Sequence, residues 1–302
     1  MSAQTGAFAY GDLSNREDLW DDIKDLDPLE TWMSTHCGTV PVYNVIHSWP
    51  IDGITAETTQ TGTVELDDTS YAATNPTILL NVTQIIEKGV AVSMSNMNTK
   101  HAGFKDKWAR EKLKAMKLFK DQLELSIVAG AMTTGTGTAA RKMQGIAGFA
   151  STLATVAAAS GTSLTSAIFN GILGDAYSAG QDHDTVLVGR KLKETISLFT
   201  AGNTKNVPAS EATIYDRVDV YDSDHGRQEI IKHRKVDYIS GTTAGTHTLV
   251  TCIRDFISIG VMDEVHYEDR DRSGYYKKGA IVGEYTVQVA NEKAVSCMTH
   301  LQ

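Results

Sequence analysis

The sequence predicts a mixed α+β fold whose parts follow one another in a definite order. An acidic arm leads to a long β-hairpin, then to one long helix, a compact α/β region and a closing strand. Three observations predict it. Apolar residues recur at helical spacing from about Gly103 to Ala129. Two β-prone limbs flank a polar Gly/Thr tip across residues 46–86. The stretch Ala280–Ala290 alternates apolar and polar residues.

The 302 residues suit about two compact units and bury a sizeable core. With 41% hydrophobic and 22% charged residues, most of the chain is globular rather than disordered. The net charge of −9 argues against a general nucleic-acid binder, because phosphate contacts need clustered Lys and Arg. It does not exclude a protein that encloses DNA without gripping it. No stretch approaches the ~20 apolar residues of a membrane helix. Met1–Tyr10 lacks the basic start and apolar run of a signal peptide. Cys37, Cys252 and Cys297 are few and far apart; they fit a reducing cytoplasm, not a disulfide scaffold or a zinc site.

Residues 1–45 are acidic and irregular. Asp12, Glu17, Asp18, Asp21, Asp22, Asp25, Asp27 and Glu30 are offset only by Arg16 and Lys24. Leu13, Leu19, Trp20, Ile23 and Leu26 are too sparse for a core but suit packing on a partner. Two readings stand: an extended arm with a short helix near Asn15–Leu26, or a solvated acidic face.

In residues 46–86, Ile46, Trp49, Ile51 and Ile54 precede the polar stretch Thr55–Ser70, and after Asn75-Pro76 the run Thr77–Ile86 returns with high β-propensity. An isolated two-stranded ribbon is marginal in water, so this hairpin must lie on its own body or on a neighbour.

Along Gly103–Ala129, Phe104, Trp108, Ala115, Phe119, Leu123 and Ile127 form one stripe, and Gly130 is a plausible stop. The helix also carries Lys105, Lys107, Arg110, Lys112, Lys114, Lys117 and Lys120, interrupted by Asp106, Glu111 and Asp121. This basic face reads as a solvated amphipathic surface, as a dock for acidic segments of neighbours, or as a DNA contact. The hairpin supplies matching acids: Asp52, Glu57, Glu65, Asp67 and Asp68, with no base among them. These acids and helix bases are the candidate intersubunit contacts.

Residues 155–265 read as an α/β unit. Ser163 is placed to cap a helix carrying Leu164, Ile168, Ile172 and Ala176, stopped by Gly180. A buried strand at 184–189 and a helix at Lys191–Phe199 follow. Strands are expected at Ile214–Tyr221 and Glu229–Tyr238, around a turn at Asp222–Gly226, and at Thr246–Ile253. In the closing strand, Ile281, Gly283, Tyr285, Val287 and Val289 share one face, with Glu284, Thr286 and Gln288 opposite.

Chemical motifs are weak. Gly135-Thr-Gly-Thr-Ala-Ala lacks a third glycine and a Gly-Lys-Ser/Thr, and follows a helix; it reads as a bend rather than a phosphate loop. His36-Cys37 lacks an orienting third group for nucleophilic chemistry. Asp182-His183-Asp184 reads as a solvated turn rather than a metal site. No catalytic residue, cofactor site or metal site is assigned.

The order of parts resembles the Hong Kong 97 type of tailed-bacteriophage major capsid protein. Val45-Ile-His-Ser-Trp-Pro-Ile-Asp is similar to the start of that family's hairpin, and Asn81-Val-Thr-Gln-Ile-Ile-Glu-Lys-Gly-Val-Ala-Val-Ser to its return. Arg217-Val-Asp-Val-Tyr-Asp-Ser-Asp-His-Gly resembles its central strand and turn, and Gly283-Glu-Tyr-Thr-Val-Gln-Val-Ala-Asn-Glu-Lys-Ala its closing strand. The sequence departs at Arg254-Asp-Phe, where the family often has an Arg-Pro-Phe-like segment, and Glu264–Lys278 has no match.

The resemblance implies an N-terminal arm (1–45), an extended loop (46–86), a peripheral domain with the spine helix (87–154), an axial domain (155–265) and a return to the peripheral domain with the C-terminal strand (266–302). It implies a non-enzymatic, self-assembling subunit that forms pentamers and hexamers of an icosahedral head. Such a shell encloses double-stranded DNA without sequence-specific binding. It implies a virion protein made in the host bacterial cytoplasm, with a portal, decoration proteins and no membrane as context. An arm of about 45 residues is short for a fused scaffolding domain, so a separate scaffolding protein is expected. Some members join neighbours through a loop lysine. This chain has no Lys or Arg between Lys24 and Lys88, so a noncovalent shell is expected. The alternatives are a cellular nanocompartment shell of the same fold and a nucleotide-binding enzyme using the Gly135 loop.

Overall fold

The computed structural model describes residues 29, 31–53, 60, 62, 64–65, 75–101, 106–136, 138–150, 153–156, 162–199, 219–239, 247–272 and 274–301. The expected arm helix at Asn15–Leu26 and most of the hairpin tip lie outside them. The described chain opens with helix α1 (Trp32–His36) and strand β1 (Gly38–Pro41), then the ribbon strands β2 (Ile46–Ile51) and β3 (Thr77–Val82). Strand β4 (Gln84–Ser93), helix α2 (Met94–Asn98) and the long helix α3 (Lys107–Ala129) follow. After α4 (Ile146–Phe149) come β5 (Ala154–Val156), α5 (Ser166–Ser178), β6 (Thr185–Val188), α6 (Arg190–Phe199), β7 (Val220–Ser223), β8 (Gly226–Lys232) and β9 (His247–Cys252). Two 14-residue strands, β10 (Ile257–Arg270) and β11 (Tyr276–Val289), precede the last strand, β12 (Val295–Leu301).

Among the described residues the strands form three sheets, with orders β1-β10-β11-β4, β5-β12-β9-β6-β8-β7 and β2-β3. Helix α3 lies against β4 and β11 of the first sheet. Phe104 of the expected stripe lies outside the described residues; the rest is buried, with Trp108, Ala115, Phe119, Leu123 and Ile127 joining Ile86, Val90, Ile281 and Tyr285 in one core. The stripe works because residues about four apart stack on one helix face, while alternate strand residues meet it from below.

The second sheet divides two cores by the same alternation. Val186 and Val188 of β6 pack with Leu173 of α5 and Leu192 and Ile196 of α6. Leu187 faces the other way, into the core that contains Val236 and α3. All four residues of β6 are buried because the strand is central, flanked by β8 in parallel and β9 antiparallel.

Several sequence boundaries move. Helix α3 begins at Lys107, not near 103, because the Asp106 carboxylate accepts from the N–H groups of Trp108 and Ala109 and caps it. Thr165, not Ser163, caps α5 by accepting from Ile168 N–H. The strand expected over 229–238 starts at Gly226 and ends at Lys232. His233 then turns inward, and Val236–Tyr238 forms a 3-10 turn. Of the expected strand at Ile214–Tyr221, residues 214–218 lie outside the described residues.

The domain limits shift too. Residues 38–41, read as arm, pair with β10 in the first sheet. The hairpin ends at Val82, because Gln84 already pairs with Tyr285 in that sheet. The limit at 265 falls inside β10. Residues 295–301, read as returning to the helix-bearing domain, instead pair with β9 in the six-stranded sheet. Each shift has one cause: local pattern marks a strand but not its partner.

Candidate assembly surface

The ribbon β2–β3 is held rigidly at its root. Its register pairs Ile46 with Val82, Ser48 with Leu80 and Pro50 with Ile78. Asn81 is fully buried and uses its whole amide. Its Nδ2 donates to Gln144 O (3.0 Å) and Val287 O (2.8 Å), and its Oδ1 accepts from Val82 N (2.8 Å) and Gln144 N (2.9 Å). Trp49 Nε1 donates to Val289 O at 2.9 Å, and the indole packs on Phe149. Beside them, Thr83 Oγ1 donates to the Glu284 carboxylate, which Arg141 Nη2 also engages at 2.7 Å. Thr286, expected on the polar face of its strand, is buried and donates to Val82 O at 2.9 Å.

The opposite face of the ribbon is apolar and open. Ile46, Ile78 and Leu80 are 52%, 65% and 44% exposed, and Pro50 is exposed beside them. Pro50 lacks an N–H and is tolerated because β2 is an edge strand. This face was not legible as a surface in the sequence, where the same residues read only as β-prone limbs.

The candidate charged residues are placed as follows. Asp52 and Glu65 are exposed; Glu57, Asp67, Asp68 and Lys105 lie outside the described residues. Lys107 and Lys114 both reach Glu111, at 2.8 and 3.6 Å. The Lys107 hydrogen bond is the main cause holding the Glu111 carboxyl below its usual range. Lys112 Nζ sits 5.1 Å from the centroid of the Tyr267 ring. Arg110 is half-buried, whereas Lys117 and Lys120 are exposed. The basic face is thus partly neutralised by its own helix over its first two turns. Leu113 and Leu118, which no sequence stripe singled out, are 66% and 55% exposed on the same helix.

Glu124 is the junction of the molecule. It lies on α3 and is fully buried. Oε1 accepts from Met33 N (2.7 Å) and from His233 Nε2 (2.9 Å), and Oε2 accepts from Ser34 N (2.9 Å). His233 Nδ1 accepts from Lys235 N at 3.2 Å, which leaves the ring proton on Nε2. One carboxylate therefore ties α1, the long helix and the end of β8 together. The sequence carried no signal for it, since Glu124 lies on the helix face of Lys117 and Lys120, off the apolar stripe.

The weak chemical motifs have structural roles. Gly135 sits at φ +75° in a turn closed by paired hydrogen bonds between Thr133 and Lys142, both 3.0 Å; Thr136 N–H is spent on Ala139 O. Among the described residues these bonds close a hairpin-like turn; Gly137 lies outside them. His36 stacks on Trp32 and bonds to its carbonyl, and burial pushes the adjacent Cys37 thiol up to about 12. His183, expected in a solvated turn, is buried: Nε2 donates to Lys293 O (3.1 Å) and Nδ1 accepts from Thr251 Oγ1 (2.7 Å).

The charged segment Glu264–Lys278 is the far end of the β10–β11 ribbon. Arg270 bridges Glu87 (3.0 Å) and Glu268 (3.6 Å), and His266 lies between Asp263 and Glu268. A hydrogen bond to Glu264 O, then one to Glu268, raises the His266 pKa.

Comparison with known proteins gives one consistent picture. The family described as SU10 major capsid protein matches residues 3–302. No curated protein matches the chain by sequence. Among solved structures, Gordonia phage Cozz is similar at 14% identity and a TM-score of 0.63, covering 99% of this chain and 98% of that one. Microbacterium phage Oxtober96 is similar at 12% identity and a TM-score of 0.63, covering 95% and 96%. The SrpI encapsulin of Synechococcus elongatus PCC 7942 matches at 10% identity and a TM-score of 0.60, covering 96% and 93%.

Proposed function

We propose how this chain builds a shell from the premise that it belongs to the SU10 major capsid protein family. It is a structural subunit of the virion: a major capsid protein that self-assembles into the icosahedral head of a tailed double-stranded DNA phage. The encapsulin likeness concerns the shared fold, and the family assignment favours the phage shell over a cellular compartment.

One observation carries the assembly mechanism. The hairpin root is pinned by Asn81 and Trp49 but presents Ile46, Pro50, Ile78 and Leu80 to solvent. A fixed apolar face of this kind is a docking surface for a neighbouring copy. Each aliphatic side chain contributes about 1.5–3 kcal/mol when fully buried. The four-stranded sheet with α3 serves as the peripheral domain, the six-stranded sheet with α5 and α6 as the axial domain, and pentamers and hexamers close the shell.

The acidic loop, with Asp52, Glu57, Glu65, Asp67 and Asp68, then crosses a neighbour's long helix and meets its bases. Exposed pairs are worth only ~0.2–1 kcal/mol each and are screened beyond about 8 Å at physiological salt. Repetition in every subunit makes them a bias on loop position. The chain works without a catalytic step and without covalent cross-links. It encloses DNA without reading its sequence, and a portal and decoration proteins complete the head. It is made in the host bacterial cytoplasm.

Two substitutions test the mechanism. Ile78→Asp with Leu80→Asp leaves a folded subunit that forms no shells; shells from this variant contradict the docking face. Asp67→Lys with Asp68→Lys weakens assembly at low salt, and reversing Lys107 and Arg110 to Glu partly restores it; normal assembly of the loop variant removes the electrostatic part.

A further inference from the structure

We infer that a cavity at the C-terminal end of α3 receives Ile78 and Leu80 of a second copy, with that copy's Asp52 on Lys142 beside it. The inference rests on the ribbon's open face being a docking surface, and it names what that face docks on.

The cavity has a volume of about 260 Å³, and its walls include Ala129, Ala131, Met132, Ala147, Gly148 and Ile239. Gln144 is the one polar side chain on its lining. Small residues create it. The chain leaves α3 at Gly130 and crosses back at Gly145, whose N–H donates to Gly130 O at 2.9 Å. Side chains of one carbon or none around this crossing leave a hollow. Ala131 and Gly148 are exposed and Met132 is 40% exposed, so the hollow opens to solvent. An apolar cavity of about 150 Å³ already takes a benzene ring, so this one has room for two aliphatic side chains.

The chain's own ribbon is held away from it. Both backbone groups of Gln144 are bound by Asn81, whose Nδ2 donates to Gln144 O and whose Oδ1 accepts from Gln144 N. Asn81 faces inward at that point, so by strand alternation Leu80 and Ile78 face the other way. The cavity and the apolar face are therefore two separate surfaces of one subunit.

Charge and spacing match across the two surfaces. The open face carries the cross-strand pairs Ser48–Leu80 and Pro50–Ile78. Asp52 is next in that alternation, exposed and two residues past Pro50. On the receiving side Lys142 is exposed and stands two residues before Gln144. Each offset is about 7 Å of extended chain. Seating Ile78 and Leu80 in the cavity thus brings an acid to a base. Because face and cavity differ, the contact is head to tail: two joined copies still leave one face and one cavity open, and repetition closes a ring.

The test co-assembles two chains with one added cysteine each, Ile78→Cys and Ala147→Cys, under mild oxidation. The native thiols Cys37, Cys252 and Cys297 are buried and compete little. The mixture should give disulfide-linked dimers, and either chain alone should give few. A comparison mixture pairs Ile78→Cys with Leu113→Cys on the exposed side of α3. Dimers from the Leu113 mixture and none from the Ala147 mixture overturn the cavity but keep the ribbon as a docking face. Dimers from neither also overturn the cavity. The ribbon itself is judged separately, by whether Ile78→Asp with Leu80→Asp still forms shells. If the cysteine chains do not assemble, charge decides. Asp52→Lys should raise the subunit concentration needed for shells about two- to fivefold, and adding Lys142→Asp should bring it back. A double variant no better than Asp52→Lys alone overturns the inference.

Discussion

Glu124 accepts a hydrogen bond from His233 Nε2 at 2.9 Å, and both side chains are fully buried. The same carboxylate accepts from two first-turn N–H groups of α1, those of Met33 and Ser34. Removing it leaves two buried donors and one part-buried donor without this partner. Glu124→Ala should cost about 3–5 kcal/mol, read as a lower urea midpoint of the unassembled subunit. Glu124→Gln keeps the size but replaces one acceptor with a donor, and should cost about 1–3 kcal/mol. A Gln variant as stable as the native chain would show that the second acceptor is dispensable.

Asn81 tests the hairpin root. Its Nδ2 donates to two carbonyls, Gln144 O and Val287 O. Asn81→Asp turns that donor into an acceptor facing them, so it should be worse than Asn81→Ala. Limited proteolysis should then cut within 46–82 in the Asp variant well before the native chain. Equal cleavage rates in all three chains contradict the clamp.

A third expectation concerns a backbone crossing. Gly145 N–H donates to Gly130 O at 2.9 Å, and a Cβ on Gly145 would lie 2.6 Å from Gly130 N and 2.8 Å from Ile127 O. These are backbone atoms and cannot swing aside. Gly145→Ala should destabilise by roughly 1–3 kcal/mol, visible in thermal unfolding. An unchanged melting temperature would mean that the crossing relaxes.

The thiols give a pH dependence. Burial pushes Cys37 and Cys297 up to about 12 and raises Cys252 further. In the unfolded chain these groups release protons near pH 9, while the folded chain keeps them. Stability is therefore fully retained below about pH 9 and falls toward pH 12, by about 1.4 kcal/mol per unit for each such group. Thiol reagents at pH 8 should label the native subunit poorly and the urea-unfolded chain completely. Rapid native labelling of Cys37 contradicts its burial.

What the sequence made legible was periodic. The α3 stripe, the alternation of the closing strand and the central strand at 184–189 all follow from side chains facing one core. Pairing was not legible. Nothing local says that β1 joins β10 in parallel, or that β12 leaves β11 for the six-stranded sheet. Charge concealed the far half of the β10–β11 ribbon, whose Asp263, Glu264, Glu268 and Asp269 are exposed and offer no hydrophobic period. The assembly face was hidden for the opposite reason. Ile78 and Leu80 look like core residues until the fold places Asn81 and Leu79 inward and leaves them outside.

Electron microscopy of the purified chain, with Ile78→Asp/Leu80→Asp beside it, tests the central claim most directly. The account predicts closed shells with fivefold and sixfold clusters for the native protein, and only dispersed folded subunits for the variant. Dispersed native subunits at every concentration, or shells from the variant indistinguishable from native ones, would contradict it.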